Sequence, residues 1–296
     1  MTSLIPSAAP VLLAAADSGL VADLRPSPNH GERRGPFATH GPDLVVLHYT
    51  GMPAGRGLSA AERAIRWLTD PVSEVSAHYV VAEDGAITQL VAESRRAWHA
   101  GRASWHGESD VNSASIGIEI VNPGHWWDLA VTPDRDPGAP VEVHPGWIDY
   151  PEAQIAAVIA LVGDIVARRG FDSRRVVGHS DVAPGRKRDP GERFPWGRLA
   201  AAGLGAAIDP VPIDGTTTPR LELGDASPPV AALQRLLAIA GYGIVVDGVF
   251  GEATRAVVEA LQRHFRPERV DGRADRSTFE TLRALVDRGG SPGGRT

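Results

Sequence analysis

Residues 43–50, DLVVLHYT, form an uninterrupted apolar and β-branched run directly after a Gly-Pro pair. Such a run without polar alternation suits a strand buried on both faces, which requires a sheet with helices packed on either side. Neighbouring segments supply the parts. SIGIEIV at Ser115–Val121 alternates strictly, placing Ile116, Ile118 and Ile120 on one face. Ser59 followed by Glu62 is a capping-box pattern, opening a helix that Asp70-Pro71 stops. Ser76–Ala82 and Ala86–Val91 flank Glu-Asp-Gly, a hairpin signal. Pro151 opens a helix with Ile155, Val158, Ile159, Val162 and Ile165 as its apolar stripe, and Gly170 ends it. Val176-Val177 makes a short strand leading into Gly178-His179. The pattern predicts an α/β fold with a central mixed β-sheet flanked by helices.

All seven Trp and nine of the ten His precede residue 200, so the chemistry is expected in the first two-thirds of the 296-residue chain. The stretch 206–220 is rich in Pro, Gly and Thr and reads as a linker. Beyond it, Pro229–Ala240, Glu252–Phe265 and Ser277–Val286 carry helical periodicity and predict a small three-helix domain. DGVFGEATRAV and DGRADRSTFETL echo each other as a weak internal repeat, each Asp-Gly pair serving as turn chemistry. The expected organisation is an N-terminal extension (1–24), a catalytic domain (25–205), the linker (206–220), the helical domain (221–288) and a tail (289–296). About 70 residues make only a small core, as in an accessory binding module.

Composition removes several classes. There is no Cys, so thiolate metal sites, cysteine nucleophiles and disulfide scaffolds are excluded. With 30 basic against 36 acidic residues, a general nucleic-acid binder is not expected. No apolar run approaches the ~18 residues of a membrane span. Residues 1–16 contain a short apolar run, but Pro6 and Pro10 interrupt it and no basic residue precedes Arg25, which argues against a secretory signal and favours the cytoplasm slightly. Of the 30 basic residues 29 are Arg; the single Lys is Lys187, which suggests a position where guanidinium cannot replace a compact ammonium.

Any metal must then be held by nitrogen and oxygen. His48 and His179 fall at the ends of strands, and Asp189 in the loop after the second; His-His-carboxylate with an open position is a catalytic zinc arrangement. The alternative, histidines satisfied by backbone carbonyls, stays open on that pattern. Lys187 stands two residues before Asp189, so in an extended loop both side chains point the same way and the ammonium suits an oxyanion. Glu119 is the one charged residue of its strand, opposite the three Ile, with Gly117 leaving open space beside it. General base is its natural task, a salt bridge to Arg the alternative.

HYT at 48–50, SAHYVV at 76–81, AWHAG at 97–101, SIGIEIVN at 115–122 and VGHSDVAPGRKRDPGERFPW at 177–196 together resemble the zinc-dependent N-acetylmuramoyl-L-alanine amidases, which share a fold with phage amidases and animal peptidoglycan recognition proteins. Residues 221–288 resemble the small three-helix peptidoglycan-binding domain. The resemblance implies one zinc ion held by His48, His179 and Asp189, with Glu119 as general base and Lys187 at the oxyanion. It implies hydrolysis of the amide bond between the muramoyl lactyl group and L-alanine in peptidoglycan or muropeptides. Loss of a zinc ligand, or of the base and Lys, would signal a binding or sensing protein on the same fold, and all five are present; a zinc amidase or peptidase that cuts within the peptide stem is the second alternative. A peptidoglycan-binding domain also suits the periplasm or envelope, against the N-terminal reading. His78, Trp98, His99, Trp105, Asn122 and Arg186 are candidate substrate contacts, with core or loop-bracing roles as the alternatives. Asp181 is expected to brace the His179 loop. The Trp126–Trp147 loop, with His125 and His144 in or beside it, is assigned nothing, and the oligomeric state is unread.

Overall fold

A computed structural model describes residues 13–52, 57–125, 148–206, 208–213 and 220–288. Residues 1–12, the 289–296 tail and the loop holding Trp126, Trp127 and His144 lie outside the described residues.

Strands β1 (Asp23–Leu24), β2 (His30–Glu32), β3 (Leu44–Tyr49), β4 (Tyr79–Val81), β5 (Ile87–Gln89), β6 (Arg95–Ala97), β7 (Ser115–Ile120) and β8 (Val176–Gly178) make two sheets. The larger has the order β1-β5-β4-β7-β3-β8, and β2 pairs with β6 apart from it. Only the β4–β5 hairpin is antiparallel in the large sheet, so the expected mixed sheet is present. β3 lies between β7 and β8 with all six residues buried, as its unbroken apolar run requires. The segment read as an extension joins this sheet: β1 pairs with β5, and Asp17 accepts hydrogen bonds from Gln89 and from the Glu93 amide.

The helices are α1 (Phe37–His40), α2 (Ala60–Thr69), α3 (Val111–Ala114), α4 (Glu152–Arg169), α5 (His179–Val182), α6 (Trp196–Ala201), α7 (Pro228–Ile239), α8 (Glu252–Phe265) and α9 (Arg276–Arg288). Ser59 caps α2 by accepting from the Glu62 amide at 3.1 Å. α4 covers one face of the sheet, packing Ile155, Val158, Leu161, Val162 and Ile165 on Ile116, Ile118 and Ile120. Ile159, expected in that stripe, is only partly buried, and Leu161 takes its place.

The other face carries two separate apolar clusters. One joins Val80, Val121 and Leu90 to Ile65 and Leu68 of α2. The second runs from Leu44, Val46 and Val177 through Val182 and Trp105 to Tyr242, Leu233, Leu237, Val257 and Leu261. The core of the C-terminal helices, with Val230, Leu233, Leu237, Phe250, Val258 and Leu261, is therefore continuous with the apolar side chains on this face of the sheet. His48 and Glu119, partners in register on β3 and β7, emerge on this face between the two clusters.

The internal repeat is visible as two equivalent cradles. Gln234 Oε1 accepts from the Asp247 and Gly248 amides while its Nε2 donates to Asp247, the Val249 carbonyl and Thr254. Gln262 does the same with Asp271, Gly272, Arg273 and Thr278. Each Asp-Gly turn is thus tied to the helix before it and the helix after it. Among the described residues, no helix is long and apolar enough to cross a membrane.

Candidate metal centre

His48 leaves β3 one residue before its end, and His179 follows β8 as the first residue of α5. Both therefore sit at the carboxyl ends of parallel strands, where side chains from separate segments converge. Asp189 returns to the same point because the Ser180 amide donates to its carbonyl at 2.9 Å. Gly178 lets that segment approach: a Cβ there would lie 2.8 Å from Pro190 Cδ. Among the described residues these three form the one group able to hold a metal ion. His48 Nδ1, His179 Nδ1 and Asp189 Oδ2 are each 2.9 Å from the other two.

The surrounding hydrogen bonds assign the imidazole tautomers. His179 Nε2 lies 3.1 Å from the Ala100 carbonyl, which only accepts, so Nε2 carries a proton and Nδ1 is the atom turned toward His48 and Asp189. On the other side Ser115 Oγ donates to the Val111 carbonyl at 2.5 Å and accepts from His99 Nε2 at 3.2 Å. His99 Nδ1 is then an acceptor, and receives the His48 Nε2 proton at 3.0 Å. His48 Nδ1 is left with a lone pair. Burial, together with His179, lowers the pKa of His48 to about 4, and burial also holds His99 well below its ordinary value, so both rings are neutral. His48 Nδ1, His179 Nδ1 and Asp189 Oδ2, buried and 2.9 Å from one another, are the kind of nitrogen and oxygen set that a metal cation would occupy. Imidazoles with their outer nitrogens fixed by hydrogen bonds are what a zinc ion requires.

Glu119 stands beside His48 on the neighbouring strand and lines the same cleft of about 610 Å³. Its Oε2 is shielded from solvent and, among the described residues, lacks a hydrogen-bond partner. Burial and the nearby Asp189 charge push its carboxyl well above the ordinary range, while Lys187 pulls it down. Lys187 and Asp189 both line the cleft. The space beside Glu119 is not open, however: the His99 ring fills it over Gly117.

Of the six candidate substrate contacts, Trp98, His99 and Arg186 line the cleft. Arg186 is also fastened to its rim, donating to the Ala100 and Arg102 carbonyls at 2.5 and 2.9 Å. The other three lie elsewhere. His78 is fully buried, accepting from the Gly117 amide and meeting Arg33 and the Arg95 carbonyl. Trp105 packs edge-on against Tyr242 under the C-terminal helices. Asn122 holds the loop after β7, accepting from the Gly124 amide and donating to the Ile148 carbonyl. These three side chains are occupied by the protein itself.

Two features escape the sequence pattern. Trp67 is 49% exposed and lines the cleft from α2. It lies off the stripe formed by Ala60, Ala64, Ile65 and Leu68, and an aromatic on the polar side of an amphipathic helix is the signal that marks it. Asp181 braces the His179 turn as expected, but its partners include Tyr242 and His264 from the C-terminal helices.

Residues 38–192 match the family model described as N-acetylmuramoyl-L-alanine amidase. Residues 226–282 match one described as a putative peptidoglycan binding domain. The chain is 36% identical over 254 residues to the N-acetylmuramoyl-L-alanine amidase AmiD of Escherichia coli (strain K12), covering 83% of each. It is 29% identical over 198 residues to the 1,6-anhydro-N-acetylmuramyl-L-alanine amidase AmpD of Citrobacter freundii, covering 62% of this chain and 92% of that one. Among solved structures, Escherichia coli AmiD in complex with the substrate anhydro-N-acetylmuramic acid-L-Ala-D-gamma-Glu-L-Lys superposes with a TM-score of 0.65 at 33% identity, over 86% of this chain and 93% of that one. AmpDh3 from Pseudomonas aeruginosa, in complex with anhydromuramic pentapeptide, gives 0.64 at 32% identity, over 86% and 95%.

Proposed function

The chain belongs to the N-acetylmuramoyl-L-alanine amidase family, hydrolases of the bond between the muramoyl lactyl group and L-alanine, and we propose that it cleaves muropeptides with one zinc ion held by His48, His179 and Asp189. The observation that carries the proposal is the convergence of His48 Nδ1, His179 Nδ1 and Asp189 Oδ2, each 2.9 Å from the others. A zinc ion there supplies Lewis acidity, toward a water at near-neutral pH and toward the scissile carbonyl.

The remaining work falls to the protein. Glu119 takes the proton of the attacking water and returns it to the alanine nitrogen, because an amide nitrogen leaves poorly unless protonated. Its Oε2, which has no hydrogen-bond partner among the described residues, is placed to make both transfers. Lys187 brings an ammonium to the developing oxyanion. Trp67 and Trp98 offer aromatic surface along the cleft for the sugar and stem peptide. Anhydro-muropeptides are the first substrates to try, since AmiD and AmpDh3 are seen with such ligands.

Mass spectrometry of the products from anhydro-muropeptides and, separately, intact sacculi tests this reading. Free stem peptide beginning at L-alanine, lost with a chelator and restored by zinc, is the expected outcome. Zinc-loaded protein that binds either material without cutting it would instead make the chain a recognition protein.

A further inference from the structure

We propose that the C-terminal helices are part of the metal centre's scaffold, with Tyr242 and His264 acting as positioning residues for His179; this rests on the reading of His48, His179 and Asp189 as a zinc site. His179 opens α5, a helix of only four residues, far too short to hold its shape by its own hydrogen bonds. What fixes it is Asp181. The Asp181 carboxylate is fully buried; Oδ2 accepts from the Gly178 amide at 2.7 Å and from His264 Nδ1 at 2.7 Å, and Oδ1 accepts from the Tyr242 hydroxyl at 3.0 Å. Two of its three donors thus come from the C-terminal helical region, and His264 is that region's one histidine. Its ring is in turn stacked on Trp196 at a centroid distance of 3.7 Å. The turn that Asp181 holds also contains the Ser180 amide on which Asp189 is hung.

A second route reaches the far side of the same imidazole. His179 Nε2 donates to the Ala100 carbonyl. The loop beyond Ala100 is pinned to the C-terminal helices by the His106 amide, which donates to the Gly241 carbonyl at 2.8 Å, and by the Trp105–Tyr242 ring contact at 5.3 Å. The Ser104 amide closes the circuit by donating to the Val182 carbonyl of α5 at 2.8 Å. Both the backbone and the outer nitrogen of His179 are therefore braced from residues beyond 240. A module that only tethered the enzyme to its substrate would need neither contact.

The test uses full-length protein. Zinc affinity is measured by chelator competition, and the visible absorption of the cobalt(II)-substituted protein reports ligand geometry. His264→Ala combined with Tyr242→Phe is expected to weaken zinc binding up to about 10-fold, the lower end of the range for losing a direct outer partner of a metal ligand because both act through Asp181, and to alter the cobalt spectrum. His264→Asn, which keeps a donor near the Nδ1 position, is expected to restore most of the affinity. Arg263→Ala serves as the control, because it breaks the docking ion pair with Glu192 without touching Asp181; it is expected to lower the melting temperature and leave zinc affinity unchanged. Wild-type affinity and spectrum in the double variant would overturn the inference, as would an equal loss in Arg263→Ala. If the wild-type chain itself takes up no zinc, the metal reading fails first.

Discussion

The imidazole of His99 occupies the place where a side chain at Gly117 would stand. A Cβ there would lie 2.4 Å from His99 Cγ. The ring can reach His48 Nε2 and Ser115 Oγ only because β7 presents bare backbone beneath it. Gly117→Ala is therefore expected to cost ~1–3 kcal/mol by overpacking. It should also lower zinc affinity ~10-fold or more by displacing His99 from His48. Thermal unfolding and chelator competition measure the two effects; a variant that binds zinc like the wild type would show that His48 is oriented without His99.

Glu119→Gln keeps the shape of the side chain but removes its capacity to take a proton. Turnover is expected to fall ~10²–10⁴-fold, the range for a lost general acid–base. Zinc content should stay at that of the wild type, because Glu119 is not among the three residues that converge at the candidate metal site. Metal analysis beside the mass-spectrometric assay separates the two, and a variant that loses its zinc would move Glu119 from base to ligand.

Lys187 is the one ammonium in a chain with 29 Arg, and its exposed side chain lines the cleft. Lys187→Met is expected to reduce turnover ~10²–10³-fold, as when an oxyanion donor is removed. Stability should change by less than ~0.5 kcal/mol, since the site is exposed. Lys187→Arg keeps the charge on a larger, planar group and should recover little of the lost rate. Full activity in the Arg variant would mean that the site reads charge alone.

Much of the sheet was legible because its strands are short, β-branched and buried, so periodicity and burial agree. The three residues of the candidate metal site were legible because His48 and His179 fall at strand ends and Asp189 follows in the same loop. What was hidden depends on contacts between distant segments. Gly117 reads as empty space until His99, 18 positions earlier, folds over it. The scarcity of Trp and His after residue 200 points away from the C-terminal helices, yet His264, the lone exception, is the residue that grips Asp181. Gln234 and Gln262 are unremarkable in a helical pattern and become visible only when two Asp-Gly turns close around their amides. Periodicity reports which face is buried, not what buries it.

Glu93 carries a pH dependence of stability. Burial pushes its carboxyl up, but hydrogen bonds from Arg168, Tyr79 and Arg169 outweigh this and hold it at about 2. Its folded pKa is below the unfolded value, so it stabilises the fold above about pH 4.5, and this contribution fades as pH falls toward 2. The full contribution is on the order of 3 kcal/mol. Melting curves of the wild type and Glu93→Gln are expected to differ most near neutrality and to converge between pH 4.5 and 2. A gap that stays constant with pH would assign the loss to packing instead.

Because β3 is flanked by β7 and β8, the strand bearing His48 waits for both neighbours to be synthesised. His179 and Asp189 follow His48 by 131 and 141 residues. At ~5–20 residues per second, ribosomes need on the order of ten seconds to cover that distance. The bracing contacts of Tyr242 and His264 arrive later still. A nascent chain thus carries His48 for several seconds before His179 and Asp189 exist, and any capacity to cut a cell-wall amide waits until all three have met.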